Sequence, residues 1–278
     1  MQYPIGDSHV HPDFSVDAKG SIREYCQRAF EIGLFEITFT THYEILPGRK
    51  DRMGFFTIDG LKVPAGPDAV KRYVEEVRAV GADFFPAGLK VDCGLEVGWD
   101  KTLYDRLAKE LESFDLDFVI GSIHDVCDTP ILEREFTPAF FASHPIDYWI
   151  GDYFKRAEEI AESELFDVLG HFDCYKRYGQ AAYGEALKTA HEPYLDNLFD
   201  KMKKHRLFLE LNTAGIRHGV GEYYPSMAII NAARRAGVRV SSLGSDAHNP
   251  EQLAFEFDTA SQLVYELLPC GPEDEYEQ

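Results

Sequence analysis

No stretch of these 278 residues approaches the roughly 18 consecutive apolar residues of a membrane span. That leaves no candidate transmembrane helix and no membrane partner. The N-terminus, MQYPIGDSHVH, has no basic segment leading into an apolar run, so no export signal is visible and the expected location is the cytoplasm. Positive charge is scarce: 28 Lys and Arg stand against 48 Asp and Glu, a formal net charge of −20. Such a field opposes binding to a nucleic-acid backbone or an anionic lipid surface, so nucleic acid is not an expected partner. A few divalent cations and arginines in a cleft can still reverse the sign locally and attract a small phosphorylated substrate. Cysteine is sparse too. Cys26, Cys93, Cys127, Cys174 and Cys270 are odd in number, dispersed and without a CxxC pair, which reads as reduced thiols rather than a disulfide framework or a thiolate metal site. No GxGxxG or Walker-type loop follows a strand, which removes the usual cue for a nucleotide fold. No repeat or linker is seen, so a single domain over 1–278 is expected, closing on a short acidic tail, with no oligomeric state disclosed.

What is present is alternation. Strand-like apolar runs are expected at 3–8, 35–41, 90–97, 117–122, 166–170, 207–211 and 238–243. Between them, helical spacing marks 22–32, the stripe Val70, Tyr73, Val74 and Val77, then 103–114, 148–161, a region over 185–206 kinked or split at Pro193, 226–236 and 253–268. Two long connections, 43–66 and 125–145, exceed the usual βα loop, and the first is a candidate lid. Seven strands alternating with helices imply a parallel sheet. At this length a closed or distorted α/β barrel is more economical than an open doubly wound sheet.

The potential metal ligands fall where such a barrel would gather them. His9 and His11 follow the first strand, His42 the second, Glu96 ends the third, His124 follows the fourth, His171 the fifth, and Asp246 and His248 the seventh. The C-terminal ends of parallel barrel strands meet on one face. Imidazole and carboxylate donors without thiolate suit Zn, Mn or Fe in an open catalytic site. In HVH, alternating side-chain direction puts both rings on one side, and a carboxylate such as Glu96 can bridge two ions. Counting Asp17, nine candidates exceed what one ion needs. Asp17 is either a ligand or a cap or turn residue. His144, His191, His205 and His218 read as ordinary hydrogen-bonded histidines.

In order along the chain, HVHPDFSVDA, TTHYE, GLEVGW, GSIHDV, GHFDCYKRYG and GSDAH resemble the metal-binding motifs of the polymerase and histidinol phosphatase (PHP) family. GHFDCYKRYG, ELNTAGIR and YYPS are more similar to its histidinol-phosphate phosphatase branch than to modules attached to DNA polymerases. The likeness covers nearly the whole chain, with Ala18 standing where a glycine often follows the acid. It implies a distorted (β/α)7 barrel with three clustered divalent transition metals. One ion would be held by His9, His11, Glu96 and Asp246, a second by Glu96, His124 and His171, and a third by Asp17, His42 and His248. It also implies hydrolysis of L-histidinol phosphate in histidine biosynthesis by in-line attack of a metal-activated hydroxide, without a covalent phospho-enzyme. Asp246, His248 and Glu96 are the expected catalytic residues. Arg177 and Arg217, on connections after strands five and six, are candidate phosphate clamps, since a guanidinium meets phosphate oxygens bidentately. Asn212 either orients substrate or bonds the loop backbone. Phe14, Tyr224 and the 43–66 connection are candidates for the imidazole end of the substrate. The alternatives are a PHP-type esterase of another small phosphate ester, an exonuclease-like module, which the acidic charge disfavours, and a non-catalytic metal-binding regulatory module.

Overall fold

The computed structural model describes residues 6–267. The residues expected at 3–5 of the first strand, at 268 of the last helix, Cys270 and the acidic tail lie outside the described residues. Seven strands form one sheet in chain order: β1 (Gly6–Val10), β2 (Glu36–Tyr43), β3 (Lys90–Gly98), β4 (Phe118–Ser122), β5 (Val168–Leu169), β6 (Phe208–Asn212) and β7 (Val240–Gly244). Every neighbouring pair is parallel. The last strand returns to the first through a parallel bridge between Val10 and Ala247, where His11 N–H donates to the Ala247 carbonyl at 2.8 Å. The ring is thus nearly closed, a distorted (β/α)7 barrel.

Helices α1 (Ile22–Ile32), α2 (Pro67–Phe84), α3 (Tyr104–Ser113), α4 (Thr137–Ser143), α5 (Ile146–Ser163), α6 (Lys176–Tyr183), α7 (Leu195–His205), α8 (Ala214–Arg217), α9 (Met227–Ala236) and α10 (Phe257–Leu267) follow in chain order. Local chemistry explains their ends. Ser21 opens α1 with a capping box to Glu24, an arrangement that contributes about 1 kcal/mol, and Gly33 closes it in the left-handed region that glycine enters without steric penalty. The stripe Val70, Tyr73, Val74 and Val77 of α2 is buried, and the Tyr73 hydroxyl donates to the Gly94 carbonyl of β3 at 3.1 Å. None of these helices is long and apolar enough to cross a membrane, among the described residues. Cys26, Cys93, Cys127 and Cys174 are free thiols.

The sequence reading differs from the structure mainly in the connections. Residues 43–66 do not form an open loop. They hold a turn and an antiparallel hairpin, Phe55–Ile58 with Leu61–Pro64, stitched to the first connection where Thr57 N–H donates to the Phe14 carbonyl. Three short helices, α4, α6 and α8, occupy segments expected to be loops, because one or two turns carry too little periodicity to stand out and are held by packing. Fifth-strand pairing is confined to two residues, since the chain bends at His171, whose φ is +24°. The 185–206 region is split at Pro193: short 3-10 turns precede α7 at Leu195. The final helix begins at Phe257, not near 253, after a separate turn at Pro250–Gln252.

Candidate metal centre

His9 lies within β1 and His11 one residue beyond it, so alternation turns both rings to the same side, with centroids 5.0 Å apart. His42 and Glu96 are register partners on β2 and β3. His124, His171, Asp246 and His248 come from the turns after β4, β5 and β7. Three ligand groups result: His9, His11 and Glu96; Glu96, His124 and His171; and His11, His42 and His248. Within each group the donor atoms lie within 4.8 Å of one another.

Glu96 joins two of these groups with different oxygens. Its Oε1 faces His124 Nε2 at 3.0 Å and His171 Nε2 at 2.6 Å, while Oε2 faces His42 Nδ1 at 2.8 Å and both His9 and His11 Nε2 at 3.5 Å. Asp246 Oδ1 adds to the first group, 3.2 Å from His11 Nε2 and 3.8 Å from His9 Nε2. Asp17 borders the third, with Oδ2 at 3.6 Å from His42 Nε2 and 3.5 Å from His248 Nε2. Its side chain is 41% exposed, the most open of the nine. All nine residues singled out in the sequence therefore meet at one end of the barrel.

The donor set fits divalent cations. Buried polar atoms are almost always hydrogen-bonded, yet His9 Nε2, His11 Nε2 and Glu96 Oε2 have no hydrogen-bond partner among the described residues. All three belong to one ligand group and carry the atoms a cation would take. Electrostatics agrees. Burial opposes the charge on Glu96, but the imidazoles of His42, His124 and His9 outweigh it and hold the carboxyl well below its ordinary value. Burial likewise opposes a proton on His9, yet Glu210 and Glu96 push its imidazole up to about 10. His11 moves the opposite way, lowered by burial and by the neighbouring His42 and His248.

Residues not anticipated from the sequence hold these ligands. Glu210 Oε1 lies 2.7 Å from His9 Nδ1, and Glu210 Oε2 accepts from the His171 N–H at 2.6 Å. Glu44 Oε2 lies 2.8 Å from His124 Nδ1. A carboxylate only accepts, so each histidine donates from Nδ1 and turns Nε2 toward the centre. Asp7 receives the N–H groups of Ser245 and Ala254, both at 2.9 Å, and so fixes the turn that carries Asp246. Asp246 itself has φ +53°, a left-handed conformation kept by surrounding bonds. The available signal was a carboxylate inside an otherwise apolar strand, as in LFLELN for Glu210.

Gly244 makes room for this arrangement: a Cβ there would sit against Glu210 Oε1 and only 2.6 Å from His9 Cβ. Gly244→Ala is therefore expected to cost about 1–3 kcal/mol by overpacking, read as a lower urea midpoint. An unchanged midpoint would show that both Glu210 and β1 at His9 can give way.

The anticipated substrate residues are placed less simply. Arg177 lies on α6 rather than a loop, its guanidinium 5.2 Å from the Tyr178 ring centroid. Arg217 ends α8 and donates Nη1 to the Ser245 carbonyl and Nη2 to the Asp246 carbonyl, each at 2.7 Å, so those two nitrogens support the ligand turn. Asn212 uses its Oδ1 to accept from Ala214 N–H at 2.9 Å, the backbone-bonding alternative, with Nδ2 3.5 Å from His9 Nδ1. Phe14 is packed edge-on against Tyr73 in the core and is only 4% exposed. Tyr224 is 1% exposed, with its hydroxyl unpartnered among the described residues. His144, His191, His205 and His218 join none of the three ligand groups.

The PHP domain family model matches residues 7–214. A probable histidinol-phosphatase of Deinococcus radiodurans is 32% identical over 94% of this chain and 93% of its own length. The histidinol-phosphatase of Lactococcus lactis is 25% identical over 87% of this chain and 83% of its own. In three dimensions, the crystal structure of the Lactococcus lactis histidinol phosphate phosphatase, complexed with zinc, L-histidinol and phosphate, matches with a TM-score of 0.76. It has 22% identity and covers 95% of this chain and 93% of the other. A putative histidinol phosphatase of Listeria monocytogenes matches with the same TM-score at 17% identity, over 91% of this chain and 99% of the other. With the motifs, the barrel and these matches in agreement, the chain belongs to the PHP domain family.

Proposed function

We propose that the chain is a cytoplasmic, metal-dependent phosphomonoesterase that hydrolyses L-histidinol phosphate to L-histidinol and phosphate, a step of histidine biosynthesis. One observation carries the reading: ligand groups that share Glu96, with buried donor atoms left unpaired, in a chain 32% identical to a probable histidinol-phosphatase. The imidazole and carboxylate donors suit three divalent ions, Zn, Mn or Fe, which when bound would acidify water near neutral pH and offset the charge of the phosphoryl oxygens.

The residues divide that work. His9, His11 and Asp246 would hold one ion, His124 and His171 a second, and His42, His248 and Asp17 a third, with Glu96 shared between the first two. Glu210 and Glu44 keep Nδ1 of His9 and His124 protonated, which leaves Nε2 as the donor. Arg217 and Asp7 brace the turn bearing Asp246. Arg177 keeps its guanidinium for a phosphate oxygen. Arg177→Ala is expected to raise KM for the phosphate ester about 10–100-fold, the weight of one charge-assisted hydrogen bond, with a smaller change in kcat. An unchanged KM in steady-state kinetics would remove Arg177 from the phosphate site.

The function is tested by phosphate release from L-histidinol phosphate beside an aryl phosphate, before and after chelation and dialysis, with Mn or Zn returned and metal content measured. Loss on stripping, recovery on return and preference for histidinol phosphate are expected. Activity that survives complete stripping overturns the metal role. Equal rates on both esters point to another small phosphate ester, and no turnover in the loaded protein points to a regulatory module.

A further inference from the structure

Arg49 belongs to none of the ligand groups, yet it is only 5% exposed, in a turn of the connection after β2. Burying a guanidinium is costly unless opposite charge surrounds it. Three carboxylates do. Glu44 Oε2 lies 3.5 Å from Nη1, Asp125 Oδ1 lies 3.9 Å from the same nitrogen, and Glu133 Oε1 lies 3.4 Å from Nε. Arg52 reaches Glu133 from the other side at 3.2 Å. Two connections, one after β2 and one after β4, thus meet on a single buried cation.

Two details show what this cation does. Neither Nε nor Nη1 of Arg49 has a hydrogen-bond partner among the described residues, so it acts on Glu44 as a charge rather than as a fork. Moreover, the Glu44 oxygen nearest Arg49 is the oxygen that meets His124 Nδ1 at 2.8 Å, while Glu44 Oε1 is buried without a partner. Among the described residues, the Glu44 carboxylate is thus held through Oε2, which Arg49 and His124 share. Without Arg49, Glu44 would face Asp125 and Glu133 across the same buried space, and like-charge repulsion would turn it away from the imidazole.

We infer that Arg49 is a positioning residue for the metal centre: through Glu44 it holds the His124 ring with Nε2 toward Glu96. The inference rests on the reading that His124 is a metal ligand. It places a determinant of metal retention in the turn of the first long connection, outside the ligand set itself and one carboxylate removed from His124.

A double-mutant cycle on the loaded protein tests it, with competition against a graded chelator as the readout and calorimetric melting of the stripped protein as the folding control. Glu44→Gln and Arg49→Met are each expected to weaken retention of one metal equivalent about 10–100-fold. The double variant should be no weaker than the worse single one, because both act through one contact. Arg49→Lys, which restores the charge, should recover most of the loss. If Arg49→Met does not fold, Arg49→Gln takes its place in the cycle. Wild-type retention in Arg49→Met or Glu44→Gln, or losses that multiply in the double variant, overturns the relay. Failure of the wild-type protein to retain any metal would instead overturn the metal reading on which the relay rests.

Discussion

Glu96→Ala is expected to lower phosphate release from L-histidinol phosphate by about three orders of magnitude or more while leaving the barrel folded. The size follows from Glu96's position: its two oxygens face different ligand groups, so one substitution removes a donor from both. Losing the charge that cations present to a phosphoryl group costs several kcal/mol of transition-state stabilisation, and each 1.36 kcal/mol is about tenfold in rate. His9→Ala, by contrast, touches one group and should cost less. The fold should survive because Glu96 sits on β3 between Leu95 and Val97, both buried, whose packing does not use the carboxylate. Removing Glu96 leaves five imidazoles without their shared counter-ion, so the variant should also bind fewer metal equivalents. Initial rates, elemental analysis and circular dichroism on the same preparation check this. Near-native turnover with full metal content would show that Glu96 is not the bridge.

The legible part of the centre was the part that depends on where strands end. A barrel strand needs only an apolar run to be seen, and the residue that terminates the run is then carried to a known face, as for His42, Glu96 and His124. Hence the sequence alone groups ligands spread from His9 to His248 on one face. What holds those ligands was not legible. Glu210, Glu44 and Asp7 act through contacts with residues distant in sequence: Glu210 on β6 meets His9 on β1, and no local pattern encodes that pairing. Arg217 was visible as a cation on the right connection, but not that two of its nitrogens serve the carbonyls of Ser245 and Asp246. The surroundings of Phe14 were not legible for a related reason: its carbonyl accepts from Thr57 in the hairpin of the next connection, and its ring packs edge-on against Tyr73.

The thermal stabilisation given by metal is expected to widen as pH rises from 6.5 to 8.5. In the metal-free fold, burial opposes a proton on His9, but Glu210 and Glu96 raise its pKa from 6.5 to about 10. A raised pKa stabilises the metal-free fold fully below pH 6.5, and that contribution is lost as pH climbs through about 10. The stripped protein should therefore lose this share of stability across the range. His42 and His248 are also raised, opposed by burial but driven by their carboxylate neighbours, and act in the same direction. Metal loading has the reverse dependence. Glu210 keeps the proton on His9 Nδ1, so a cation at Nε2 must displace the other one, and its apparent affinity gains about tenfold per pH unit for each proton displaced. That is about 1.4 kcal/mol per unit, or about 3 °C in Tm for a chain of this size. Scanning calorimetry of loaded and stripped protein at three pH values measures the gap. A gap that stays constant or narrows would mean that no proton leaves on loading, and that His9 Nε2 is not a ligand atom.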